Sequence, residues 1–363
     1  MGSRIDRALV GELLDARADA GYLSIYVGLD LEDPGRWELD LRHELEAAGL
    51  VPERGAHATP VQQTAARAMR VVHERLQVPA EVARGLVGFI SIDDAATDPV
   101  WLELGEPLPN AVVIASAPYI APLVDMWETL RPTGVIIAGR TSVTICEWNG
   151  LDLDQLDHIE ADVDTTEWRR FEGPAQSGRS GQVSFADQDR FSDRLDRRRL
   201  DDLEEAIGPV LASRTRVRSW ERVIWFGVSE VANRLGTRIP MSVRQVIGGD
   251  EELLNVPRSR IIEAVREAVH GDLHYREHQL IEMIRETVPA RLARGVEEIE
   301  ELAQQGSVDL LMLDHESPAD TEGRRSIEHL IRSVYEQGGE VFAFHDESLA
   351  AETSVSAVAT LRY

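Results

Sequence analysis

The chain has 363 residues and a formal net charge of −26, with 64 acids against 38 bases. That length allows two or three domains, the 43% hydrophobic content supports real cores, and the acidity argues against a general nucleic-acid coat protein. Every basic residue is arginine, so a Walker-type phosphate loop and Schiff-base lysine chemistry are both excluded. In chain order, residues 3–17 read as a short helix, and the alternating, strand-forming run Tyr22 to Val27 reads as a strand. A polar loop precedes a helix near 61–77. Strands follow at Leu86 to Ile92, Trp101 to Leu104 and Val112 to Ala115, with Pro107 and Pro109 as punctuation. These residues make one α/β domain, 1–117.

The second unit, 118–254, opens with Pro118, Tyr119 and Pro122, then a helical run from Leu123 to Leu130. Gly134 to Ala138 and Thr141 to Trp148 are expected strands, and Asn149-Gly150 is a strong hairpin signal. A long polar segment covers 159–183. A helix near 184–212, a buried strand at Val223 to Val228, a helix near 229–235 and one more strand complete the unit. From 255 onward the pattern is helical, near 257–270 and again near 274–304. Val308 to Leu313, Ser326 to Gln337 and Val341 to Phe344 then alternate strand, helix and strand. Helices alternating with strands predict a C-terminal α/β/α sandwich over 255–363 and three α/β domains in all.

No apolar run approaches the roughly 20 residues that span a bilayer. The N-terminal stretch is interrupted by charges and lacks a signal-peptide core. A cytoplasmic protein with no membrane partner is expected. The single cysteine, Cys146, rules out a disulfide framework and a cysteine metal cluster. It sits beside Ile145 in an expected strand and reads as a small core residue.

The segment with the most chemistry is Ser177 to Arg199. Gly178, Ser180 and Gly181 precede Gln182, so the first half has little to bury and much backbone freedom. From 169 to 199 there are eight arginines and five acids, a local surplus of three positive charges on an acidic chain. Arg190, Arg194 and Arg197 are spaced by four and three and share one helix face. Together with Arg179 and Arg198 they suit bidentate contact with RNA phosphate. The alternative is a solvated, salt-bridged helix, since Asp193 lies four residues before Arg197.

Three ordered phrases carry a resemblance. They are GVEEIEELAQQGSVDLLML (295–313), HLIRSVYEQGGEVFAF (329–344) and AVATLRY (357–363). They resemble the third domain of archaeal and eukaryotic peptide-chain release factors and of Pelota, which is similar to the kink-turn-binding ribosomal protein fold. Glu297-Glu298, Gly306-Ser307-Val308, Gly339 and Leu361-Arg362-Tyr363 occupy that family's places. In the middle unit, Ser180-Gly181-Gln182, Phe185, Arg190-Phe191 and Arg194 follow the order of the release factors' Gly-Gly-Gln loop and arginine-bearing helix. The layout most resembles the bacterial members of the archaeo-eukaryotic release factor family, with a divergent N-terminal domain.

The resemblance implies a ribosome-associated protein that meets ribosomal RNA and peptidyl-transfer RNA rather than DNA. It implies peptidyl-tRNA hydrolysis, or cleavage of the tRNA end, in rescue of stalled ribosomes. Gly181 and Gln182 are then the catalytic residues, no cofactor or metal is needed, and a translational GTPase is a second candidate partner. Two departures bear on this. Ser180 replaces the first glycine of the tripeptide, and a chain without lysine cannot hold the Asn-Ile-Lys-Ser stop-codon motif. A non-catalytic factor that fills the ribosomal A site and protects idle ribosomes is the alternative. Two further clusters read as surface. His270, His274 and His278 fall four apart, but Gly271 interrupts them and the metalloprotease Glu is missing. Glu297, Glu298, Glu300 and Glu301 make an acidic helix face, either for solubility or for docking a basic partner.

Overall fold

Strand β1 (Tyr22–Gly28) is buried along nearly its whole length, which an apolar strand achieves only between two layers. It pairs antiparallel with β2 (Gly85–Ser91) and β4 (Ala111–Ala115), and β3 (Val100–Leu104) lies outside β2, giving the order β3-β2-β1-β4. The computed structural model describes all residues except 1–6, 31–32, 34, 53–56, 77–82, 93–97, 140–141, 161–184, 250–252, 315–320, 346–356 and 363. The chain divides into two compact units. The first takes Met1–Arg131, Gly150–Asp152 and Gly271–Tyr363; the second takes Pro132–Asn149 and Leu153–His270.

In the first unit, one face of the β1 sheet carries Leu23, Ile25 and Val27. They pack on Leu41 and Leu45 of α2 (Arg36–Ala47) and on Ala65, Ala68 and Val72 of α3 (Pro60–Leu76). The opposite face, with Tyr26, Phe89 and Leu102, joins a core that also holds Leu13 and Leu14 of α1 (Arg7–Asp15), Leu123 of α4 (Ala121–Trp127) and C-terminal residues such as Leu330 and Ile331. The N-terminal sheet and the C-terminal layers therefore share one hydrophobic core.

The second unit holds β5 (Thr133–Ala138), β6 (Ser142–Trp148), β7 (Leu153–Glu160), β8 (Arg222–Gly227) and β9 (Arg244–Gly249), in the order β7-β6-β5-β8-β9. Pairs β5–β8 and β8–β9 are parallel, and β5–β6 and β6–β7 are antiparallel. Asn149-Gly150 makes the expected hairpin turn, with Gly150 at φ 87°, a left-handed conformation that favours glycine. Ile136, Ile145, Val223 and Trp225 line the face covered by α5 (Phe185–Val217) and α6 (Ser229–Gly236).

Helix α7 (Arg258–Glu286) is continuous through Gly271, where the sequence suggests a break. The break comes instead at a short turn, Pro289–Arg291, which leads into β10 (Leu292–Arg294) and α8 (Val296–Gln304). Then come β11 (Val308–Asp314), α9 (Thr321–Glu336), β12 (Glu340–Phe344) and β13 (Ala357–Leu361), with sheet order β10-β13-β11-β12. Ile281 and Ile284 of α7 pack with Leu310, Met312 and Phe342 on one face. Ile299 and Ala303 of α8 with Leu330 and Val334 of α9 cover Leu311 and Ala359 on the other. This is an α/β/α sandwich, and the whole fold is mixed α/β. Three elements are absent from the sequence expectation, α2, β7 and β10. Among the described residues no helix is long and apolar enough to cross a membrane.

Candidate functional site

Helix α5 is the scaffold of the expected site. Its C-terminal half is anchored by Leu203, Ile207 and Leu211, four residues apart and all buried against the sheet. Charged contacts fix its direction. Arg214 makes a two-pronged bond to Asp157 of β7, at 2.8 and 3.0 Å. Asp201 meets Arg234 at 2.5 Å, and Glu204 meets Arg238 at 2.8 Å, both on or next to α6. Exposed pairs of this kind add little stability, but three of them at different azimuths restrict rotation of the helix.

Positions 190, 194, 197 and 198 all lie on α5. At 3.6 residues per turn they fall within an arc of about 100°, centred about 130° around the helix from the buried stripe. Arg179, Ser180, Gly181 and Gln182 lie outside the described residues. The segment that holds them, 161–184, runs between β7 and α5.

Two buried groups of this unit, Cys146 and Glu147, offer no competing chemistry. Burial pushes the Cys146 thiol up to about 11, so it stays protonated and unreactive near neutrality. Glu147 is buried, but it accepts a hydrogen bond from Trp220 Nε1 at 2.9 Å and faces Arg218 at 3.4 Å. That makes it a structural carboxylate. Among the described residues no group of His, Cys, Asp or Glu can hold a metal ion. His274 is exposed and lies 3.8 Å from Glu277, and His278 is exposed on the same helix.

In the C-terminal sandwich, Glu297 and Glu301 are exposed on α8. Glu298 accepts from the Arg294 backbone N–H at 3.0 Å, and Glu300 lies 3.3 Å from His329. Arg362 closes the last strand: its backbone N–H donates to the Ser307 carbonyl at 2.9 Å and its guanidinium to the Gln337 carbonyl at 2.8 Å. Tyr363 lies outside the described residues. Sequence reasoning missed a buried pair, Glu328 and Arg332 on α9. Their spacing of four was the available signal, but burial of that pair is a tertiary fact.

Residues 118–275 match the model of bacterial archaeo-eukaryotic release factor family 10. Over those residues the chain is similar to that family. The matched segment includes the whole second unit, and with it α5 and the segment that holds Ser180-Gly181-Gln182. The C-terminal sandwich from β10 onward lies outside the matched residues. No curated protein matches the chain. Among solved structures, the archaeal translation termination factor aRF1 is 18% identical, covering 98% of this chain and 96% of its own, with a TM-score of 0.23. Dom34 of S. cerevisiae, described as a translation termination-like factor involved in RNA quality control pathways and interacting with Hbs1, is 12% identical over 77% of this chain and 79% of its own, at a TM-score of 0.41. Pelota of Archaeoglobus fulgidus is 13% identical over 77% and 79%, at 0.33.

Proposed function

We propose that this protein enters the A site of stalled ribosomes and hydrolyses the ester of peptidyl-tRNA. The single observation that supports this is the family match over 118–275, which holds the Ser180-Gly181-Gln182 tip and the arginine-bearing helix in one segment. In this reading the chain works as an N-terminal domain (1–117), a release-factor-like middle domain (118–254) and a C-terminal domain (255–363). The site of action is cytoplasmic.

Gln182 has no useful pKa and so is not a general base. It positions a water for attack on the ester carbonyl, and a backbone N–H stabilises the developing charge or the departing 3′ oxygen. The carbonyl–oxygen bond breaks, the peptide leaves as a carboxylic acid, and the tRNA keeps its 3′ hydroxyl. Gly181 lets the backbone approach closely. Arg179, Arg190, Arg194, Arg197 and Arg198 bind ribosomal or transfer RNA phosphates. A translational GTPase is the second proposed partner, with the exposed Glu297 and Glu301 as its contacts. Cleavage of the tRNA end is the variant of this chemistry in which a different bond is broken.

A second reading is favoured by Ser180, which stands where the release factors have glycine. Serine has fewer accessible backbone conformations, and a tip that cannot take the active form leaves a non-catalytic A-site occupant that protects idle ribosomes. Both readings need ribosome binding. The test is co-sedimentation with ribosomes across a salt series: association should fall steeply with salt, and Arg190→Glu with Arg194→Glu should weaken it. Salt-insensitive association, or none, overturns both.

A further inference from the structure

Strand β4 is an edge of its sheet. The Ile92 N–H bonds the Gly21 carbonyl and the Leu29 N–H bonds the Arg84 carbonyl. These two bonds turn the backbone groups of odd-numbered residues in β1 toward β2. Tyr22, Ser24 and Tyr26 therefore face β4, where their partners are Ala115, Val113 and Ala111. The N–H and C=O of Val112 and Ile114 point the other way, to the outer edge. Among the described residues nothing pairs with that edge.

The edge forms one wall of a groove of about 740 Å³ within the first unit. Ala47 and Ala48 at the end of α2 flank it with small side chains, and α9 flanks it with Arg324 and Arg325. Arg17 stands at the same groove, half-exposed and 3.4 Å from Glu336. The acids here are Glu44 and Glu328, and Glu328 is already bonded to Arg332 and to the N–H groups of Ile120 and Ala121. On a chain of net charge −26, this is a basic groove beside an open strand edge.

We infer that the β4 edge is a docking site for an extended acidic peptide of a protein partner. The peptide adds as a fifth strand beside β4, its backbone pairs with Val112 and Ile114, and its carboxylates meet Arg324 and Arg325. The strand edge favours a peptide over RNA, because a nucleic acid offers no matching row of alternating donors and acceptors. Added strands sit about 4.8 Å from their neighbour, so the flanking alanines suit the insertion.

The probe is a fluorescein-labelled peptide of about six residues alternating Glu and Val, added to the full chain and read by anisotropy and by hydrogen exchange of the β4 amides. The expected result is binding that slows exchange at Val112 and Ile114. N-methylation of alternate peptide nitrogens should weaken it about tenfold, and so should Arg325→Glu, an exposed site. The same peptide with Arg in place of Glu should not bind. Three results overturn the proposal: equal binding of the N-methylated peptide, no protection at Val112 and Ile114, or displacement of the peptide by single-stranded oligouridylate with equal protection by that RNA.

Discussion

Glu328 accepts a hydrogen bond from Arg332 Nε at 2.8 Å, and both side chains are buried on α9. The pair is the centre of a wider network. Glu328 Oε2 accepts from the backbone N–H groups of Ile120 and Ala121 at 2.8 and 3.0 Å, at the start of α4. Arg332 donates to the carbonyls of Leu13 and Leu14 at the end of α1 and to that of Pro118. Burial pushes the Glu328 carboxyl up and the Arg332 guanidinium down, each opposed by the charge of the other.

The network predicts a specific pattern of loss. Arg332→Ala should cost about 3–5 kcal/mol of stability in urea unfolding, because a buried carboxylate loses its partner. For an isolated buried pair, replacement of both residues by apolar ones is often neutral. Here Glu328→Leu with Arg332→Met should stay destabilised, since N–H groups at Ile120 and Ala121 and carbonyls at Leu13, Leu14 and Pro118 lose their bonds. A double variant as stable as wild type would contradict this.

Tyr26 and Tyr119 predict alkaline sensitivity. Burial pushes the Tyr119 phenol up to about 12 from 10.0, and that of Tyr26 well above the same value, with Glu328 adding to both. The Tyr26 hydroxyl donates to the Tyr119 carbonyl. A folded-state pKa above the unfolded one means that the folded chain keeps a proton the unfolded chain gives up. The associated stability is complete below pH 10 and is lost as the pH rises toward 12. Tyrosinate absorbance should therefore show two of the six tyrosines titrating only with unfolding. Tyr26→Phe should remove one of them and cost about 1–3 kcal/mol through the orphaned carbonyl. Titration of all tyrosines in the folded state at ordinary pH would contradict it.

Two glycines should respond in opposite directions. Gly271 is inside α7, and a Cβ there meets nothing within 4 Å. Gly271→Ala should stabilise by up to about 1 kcal/mol, as helix propensity predicts. Gly134 lies against the Trp220 ring, whose atoms would be 2.4–2.7 Å from an added Cβ. Gly134→Ala should destabilise by about 1–3 kcal/mol through overpacking. Thermal unfolding measures both; a destabilising Gly271→Ala would mean that α7 breaks there after all.

The same helix shows what the sequence could and could not convey. Gly271 suggested a break, yet Ile262, Val265, Ile281 and Ile284 are all buried, so packing on both sides carries the helix through a residue of low propensity. Helix α2 was missed because only Leu41 and Leu45 of its twelve residues are buried, too narrow a stripe to stand out among charges. Strand β7 was missed because LDQLDHIE is polar and only Leu153 is buried; its partner β6, not its own composition, makes it a strand. The strand-forming composition of Tyr22 to Val27 and the Asn149-Gly150 turn were readable because local chemistry and tertiary demand agree there. The helix that carries the arginine positions was readable from their spacing. The Glu328–Arg332 network was not, because its partners lie more than 200 residues away in sequence.

The most direct test of the proposed function uses ribosomes stalled with labelled peptidyl-tRNA and an empty A site. Wild-type protein should release peptide about a hundredfold faster than Gln182→Ala, the loss expected when an attacking water is no longer positioned. Release by wild type no faster than by Gln182→Ala would contradict hydrolysis by this protein.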